Sequence, residues 1–176
     1  MNIVLIGCRA VGKTSIGSLL AQELKMSFVD TDQLLEERLG ECIGSYVKRH
    51  GWEAMRILES EVLRSLLGLQ NHVITTGGGC VESHENQRLL KSLGHVVWIK
   101  APSYKILERL INGQRPPLTS FDPKTELELI LKRRNPLYLK AADVVLDTGE
   151  LGVLEATRIL KLAINNLMKG SIHAGQ

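Results

Sequence analysis

Cysteine is scarce in this chain. Only Cys8, Cys42 and Cys80 occur. The number is odd, the spacing is wide and no C-x-x-C is present, which argues against a disulfide framework or a cysteine-based zinc site. The five histidines show no metal-ligand spacing. No apolar stretch approaches the length of a membrane span, and the first residues lack a charged region followed by a cleavage site. Charge of one sign is also in short supply: the net value is +3. That is too slight to argue for nucleic acid or a membrane surface as partner. The one dense basic cluster, "KRR" at 132–134, has a plain reading as a solvated helix face. Internal repeats and low-complexity segments are absent. These absences together point to a reducing cytoplasm.

What remains is ordinary globular composition, with 44% hydrophobic and 23% charged residues in 176. One domain with a real core accounts for that length, residues 1–176. Oligomeric contacts leave no mark in the sequence, and a monomer is the expectation. The final residues, 170–176, read as a frayed, disordered tail.

Near the start stands "GCRAVGKTS", residues 7–15. Gly7, four residues, then Gly12-Lys13-Thr14 is the spacing of a P-loop. Gly7 and Gly12 let the backbone turn tightly and approach a phosphate. The turned amides of Cys8, Arg9, Ala10, Val11 and Ser15, with the next helix N-terminus, point at the anion. Lys13 adds a full positive charge, and the Thr14 hydroxyl is placed to enter the shell of a Mg²⁺ ion. The apolar run "NIVLIG" before it reads as a buried parallel strand, and "TSIGSLLAQELK" after it as a helix. The loop implies a nucleotide and does not name an acceptor.

Strand-like runs recur at 2–7, 27–30, 72–76, 95–99 and 142–146. Helical patterns lie between them, at 13–25, 33–67 with a break near "HGW", 83–93, 103–111, 124–134 and 150–168. This alternation predicts an α/β fold, a central parallel sheet of five strands between two helical layers. Such sheets bind ligands beyond the carboxyl ends of their strands. Three polar features fall there. The P-loop follows the first strand, "DTD" at 30–32 ends the second, and "GGG" at 77–79 follows the third.

Phosphoryl transfer needs neutralised phosphate charge and an oriented nucleophile. Asp30 and Asp32 supply candidates for both tasks, through metal-bound water and as a proton acceptor. One of them also suits the N-cap of the following helix. Gly77, Gly78 and Gly79 are more glycine than a turn needs, which favours a close ligand contact. In "WEAMRILES", 52–60, Trp52, Arg56 and Glu59 share one helix face. The residues alone favour a surface ion pair there. "NGQRPPLTSFDP", 112–123, is a polar loop whose Arg115 could supply charge on closing. Arg134 has the same plain alternative as a surface arginine.

Taken together, GCRAVGKT at 7–14, DTD at 30–32, Arg56 in "GWEAMRILE", GGG at 77–79, Arg115 in "QRPPL" and "RNPLY" at 134–138 resemble the shikimate kinase family of P-loop kinases. The resemblance covers nearly the whole chain. It implies a helical acceptor-binding segment at about 31–60 and a lid at about 112–123. The implied reaction moves the γ-phosphate of ATP to the 3-hydroxyl of shikimate. Lys13 and the loop amides would hold phosphates. Thr14 would bind Mg²⁺ directly and Asp30 through water. Asp32 would hold the acceptor hydroxyl and serve as base. Arg56 and Arg134 would grip the shikimate carboxylate, with Glu59 and Gly77–Gly79 lining the acceptor site. Arg115 is the lid arginine by this resemblance, and Arg109 a candidate for packing on adenine.

The chain departs from the family pattern at Ala10, usually glycine, and at Val47, Trp52 and Met55 in the acceptor wall. The lid reads "RPPL" where "RPLL" is typical. None of these removes a charged group that the chemistry needs. Two further readings remain open from the residues: a kinase of the same fold for another small hydroxylated acid such as gluconate, and a catalytically weak nucleotide-binding module.

Overall fold

The computed structural model describes residues 1–112 and 122–173; for 112 and 168–173 the description covers the backbone alone. Five parallel strands among the described residues form one sheet in the order β2-β3-β1-β4-β5. They are β1 (Ile3–Ile6), β2 (Ser27–Asp30), β3 (His72–Thr75), β4 (His95–Lys100) and β5 (Val144–Asp147). Among the described residues, seven helices connect and cover them: α1 (Lys13–Leu24), α2 (Thr31–Leu39), α3 (Ile43–Ser65), α4 (His84–Leu93), α5 (Ser103–Asn112), α6 (Pro123–Ala141) and α7 (Val153–His173). The predicted strands and their parallel arrangement are all present. The last begins two residues later than expected, at Val144, just after Asp143, whose carboxylate accepts from the Val96 amide.

The core lies on both faces of the sheet, as a fully apolar β1 requires. Successive side chains point to opposite faces. Ile3 and Leu5 pack with Ile16, Leu20, Val97, Leu160 and Ile164 on one side. Val4 and Ile6 pack with Leu63, Ile74, Leu90, Trp98 and Tyr138 on the other. Helices α1 and α7 therefore cover one face, while α3 and α4 cover the opposite one. With β1 at the centre, its carboxyl end places the glycine loop between the ends of β3 and β4.

Three helix expectations are corrected, and the break expected near "HGW" is present. The long pattern at 33–67 is two helices. The first begins at Thr31, capped by the Asp30 carboxylate accepting from the Asp32 and Gln33 amides. It ends at Gly40, whose φ of 67° a side chain would resist. The break near "HGW" is a kink inside α3 at Gly51, with φ 81° and ψ 169°. Helix α6 does not stop at 134 but runs through Pro136 to Ala141. Tyr138 and Ala141 are buried against the sheet, so packing outweighs the missing amide of the proline. Helix α7 reaches His173, where fraying is the expectation from 170 on. Its earlier turns are anchored by Ala156, Leu160 and Ile164, and each further residue adds a bond to an existing ladder. Residues 174–176 lie outside the described residues.

Candidate active site

A cleft of about 690 Å³ opens at the carboxyl ends of the strands. Its wall includes the loop from Arg9 to Ser15, then Asp30, Asp32, Thr76, Gly78 and Arg109. Gly7 reaches a φ of 143°, and a Cβ there would lie 2.2 Å from the Ile99 carbonyl oxygen. Gly12, at φ 99°, ends the loop and starts α1. Both glycines are therefore required by conformation, and Gly7 by space as well. Ala10 holds a φ of 63° in the same loop, a conformation that costs a residue with a Cβ about 1–2 kcal/mol. The Cys8 side chain turns into the core, and burial raises its thiol pKa. Only the backbone of Cys8 can meet a phosphate. The Lys13 ammonium donates to the carbonyls of Gly7 and Cys8, both at 2.9 Å, inside its own loop.

Asp30 and Thr14 meet across this cleft, the hydroxyl donating to the carboxylate at 2.9 Å. The other Asp30 oxygen caps α2, so one residue has both tasks that its sequence position suggests. Two hard oxygen donors at a phosphate loop fit a divalent ion of the magnesium type. Among the described residues no cluster of three His, Cys, Asp or Glu side chains exists to hold a metal alone. An ion here would take its remaining ligands from phosphate and water, as magnesium commonly does.

A second cleft, about 760 Å³, adjoins the triple glycine and is lined by Trp52, Arg56, Glu82, Ser83, Arg133 and Arg134 among others. The Arg56 Nη1 donates to both Glu59 oxygens at 2.7 Å, and its Nη2 to Glu82 at 3.1 Å. Arg134 donates to the same Glu82 oxygen at 3.1 Å. The Arg56 guanidinium lies 5.1 Å from the centre of the Trp52 ring, within cation–π range. Of the two neighbouring arginines, Arg134 is 4% exposed and Arg133 is on the surface, so burial selects Arg134 as the inward one.

The glycines divide the two clefts, and each makes room for a different part of the protein. A Cβ at Gly77 would lie 2.7 Å from Asp32 Oδ1 and 3.2 Å from Glu59 Oε1. At Gly78 it would approach the Arg9 amide and the Gly7 carbonyl, and at Gly79 it would strike the Arg56 guanidinium. The Gly78 carbonyl accepts from the buried Tyr138 hydroxyl. The close approach read from the sequence is thus first an approach of protein to protein. Of the three, Gly78 alone lines the nucleotide-side cleft.

A family model for shikimate kinase matches residues 9–163. The chain is 40% identical over 167 residues to a shikimate kinase of Syntrophus aciditrophicus, covering 88% of this chain and 86% of that one. It is also 40% identical over 168 residues to one from Actinobacillus pleuropneumoniae, covering 94% and 96%. The chain belongs to the shikimate kinase family. The solved shikimate kinase of Acinetobacter baumannii, in complex with shikimate, superposes with a TM-score of 0.86 at 33% identity, covering 94% of this chain and 93% of that one. The fold is accordingly the α/β P-loop kinase fold of that family, and the chain is an ATP-dependent kinase by membership.

Within this shikimate kinase fold, Asp32 is the electrostatically unusual carboxylate. Burial raises its pKa to about 6, the Lys13 charge opposes that rise, and Asp30, Glu59 and Glu36 add to it. Glu59 is also raised by burial, against the pull of Arg56. Glu59 lines neither cleft; it sits behind Arg56 and holds it. Arg109 donates to the Ala10 carbonyl at 3.1 Å, on the rim of the nucleotide cleft. Arg115 lies outside the described residues, as do 113–121 of the expected lid. Sequence reading missed Glu82, which follows the glycines with no distinguishing pattern. It also missed Thr148, Leu151 and Val153, which close the nucleotide cleft from the turn after β5. No spacing rule links either group to the P-loop.

Proposed function

We propose that the two clefts bind ATP and shikimate and that the γ-phosphate passes to the shikimate 3-hydroxyl, giving shikimate 3-phosphate and ADP. The observation that carries this reading is the pairing of a P-loop cleft holding Asp32 with an adjoining cleft where Arg56 and Arg134 already share a carboxylate. Guanidinium groups match a carboxylate by paired hydrogen bonds, and lysine would orient it less well. Shikimate is a small carboxylate bearing ring hydroxyls, so a clamp at one end and a base at the other fix its pose. Positioning of that kind is most of what phosphoryl transfer asks of a protein.

In this reading Lys13 and the loop amides hold the β- and γ-phosphates. Asp32 accepts the proton as the acceptor oxygen bonds to phosphorus and the bond to the ADP oxygen breaks. A raised pKa suits that task, since a base works best near the operating pH. Thr14 directly, and Asp30 through water, would hold Mg²⁺, which supplies charge neutralisation on the phosphates when bound. Arg56 and Arg134 hold the acceptor carboxylate, Glu59 orients Arg56, and the Gly78 backbone meets the acceptor. Arg115 closes over the phosphates as lid arginine, and Arg109 packs on the adenine side. The reading includes a monomer in the cytoplasm that needs neither nucleic acid nor a membrane. In support of a reducing compartment, Cys8, Cys42 and Cys80 are all free thiols.

A coupled assay of ADP release, run with shikimate and a panel of other hydroxy acids, tests the reading. Shikimate-dependent turnover that requires Mg²⁺ is expected. Turnover with a different acid in preference, or none with any, would overturn it.

A further inference from the structure

Glu82 ends a 3₁₀ turn, Cys80–Glu82, that follows the triple glycine. Its carboxylate meets three arginines at once. One oxygen, Oε2, accepts from Arg56 and Arg134, each at 3.1 Å. The other, Oε1, lies 2.5 Å from Arg133 Nη2 as an ion pair but outside hydrogen-bond alignment. Burial opposes its charge, yet Arg134, Arg56 and Arg133 together hold the Glu82 carboxyl below the usual carboxylate range. The buried Nε of Arg134 has no hydrogen-bond partner among the described residues.

We propose that Glu82 is a resident carboxylate that occupies the Arg56–Arg134 clamp until the acceptor's carboxylate displaces it. This rests on the functional reading above. Three guanidinium groups against Glu59 and Glu82 leave the cluster with one positive charge; without Glu82 it would carry two. An incoming carboxylate must therefore compete with Glu82 for the same guanidinium edges, and two carboxylates held there together repel each other. A neutral polyol has no charge to exchange for that of Glu82 and leaves it seated. The residue thus sets both the affinity for the acceptor and the demand that it be an anion. It also keeps three arginines from repelling one another in the empty site.

The consequence separates this role from a structural one. Glu82→Gln keeps the shape and removes the charge. The apparent KM for shikimate should fall about tenfold, the factor expected if about one molecule in ten has an open clamp. The change should fall mainly on KM rather than kcat. The dissociation constant for shikimate without nucleotide, read from tryptophan fluorescence, should fall in parallel. The ligand-free melting temperature should drop, and the stabilisation given by saturating shikimate should grow. Glu82→Asp keeps the charge but shortens the reach, so its KM should lie between the two, and it serves if the glutamine variant folds poorly. An unchanged or raised KM in both variants would overturn the proposal and make Glu82 a positioning residue. A wild-type protein that neither binds nor phosphorylates shikimate would instead overturn the functional reading, and this proposal would fall with it.

Discussion

Replacing Gly79 by alanine should disable the acceptor clamp without removing a single charge. Gly79 has φ −90° and ψ −3°, which alanine adopts without strain. Its added Cβ would lie 1.9 Å from Arg56 Nη2, 2.3 Å from Cζ and 2.5 Å from Nη1. Ordinary contact begins near 3.4 Å. The guanidinium must then retreat by about 1.5 Å. That is enough to break its 2.7 Å bonds to Glu59 and its 3.1 Å bond to Glu82. Because the clash is with the tip of a flexible side chain, the fold should survive. Each hydrogen bond to a charged group is worth about 1.5–3 kcal/mol. Loss of the arginine's grip on the acceptor carboxylate should therefore raise the KM for shikimate about 10- to 150-fold. The KM for ATP should move less than about twofold, since Gly79 does not line the nucleotide cleft. Glu59, 7% exposed, would lose its partner, so the melting temperature should also fall. Steady-state kinetics with each substrate varied in turn make the measurement. The decisive control is the same alanine in an Arg56→Ala background, where nothing remains to be displaced, so the Gly79 effect should vanish. A KM for shikimate within twofold of wild type, or an equal effect in both backgrounds, would refute the reasoning.

Four other outcomes follow from the same geometry. Because the Asp32 pKa is raised to about 6 and a base must be ionised, kcat/KM for shikimate should fall as pH drops through about 6; a flat profile from pH 7 to 5 would remove Asp32 as base. Holding that carboxylate ionised costs the ligand-free fold about 2–3 kcal/mol above pH 6 and nothing below the unfolded value of 3.8, so Asp32→Asn should stabilise the protein at pH 8 and not near pH 4. Trp52 is 38% exposed beside Arg56, whereas Trp98 is 8% exposed and stacked on Tyr138. Saturable quenching by shikimate should therefore disappear in Trp52→Phe, and quenching that persists would place the acceptor elsewhere. Gly7→Ala meets an immovable backbone oxygen at 2.2 Å, so it should lose nucleotide binding together with several degrees of melting temperature; a variant with normal ATP affinity would contradict the loop geometry.

Much of this protein was legible in its residues because the signals are local. Gly7 to Thr14 fix a loop by conformational freedom and charge within eight positions. The apolar runs mark five strands, and their alternation with helical patterns leaves a parallel sheet as the compact solution. Asp30 and Asp32 were readable as a pair because strand ends and helix caps obey short-range rules. The same locality explains the errors. Helix α6 passes Pro136 because Tyr138 and Ala141 find a buried place against strands far away in the chain, which no window around the proline contains. Glu82 carries no pattern of its own; it matters because Arg56, 26 residues before it, and Arg134, 52 residues after it, converge on its carboxylate. The residues alone left Arg134 the plain reading of a surface arginine, and burial turned it inward while its neighbour Arg133 stayed exposed. The triple glycine announced a close approach, but only packing decided that Asp32, the phosphate loop and Arg56 are what approach it. Charge, conformational freedom and periodicity act between neighbours and are written in order along the chain. Which distant side chains share a cleft, and so whose charge each must answer, is settled only when the sheet closes its core.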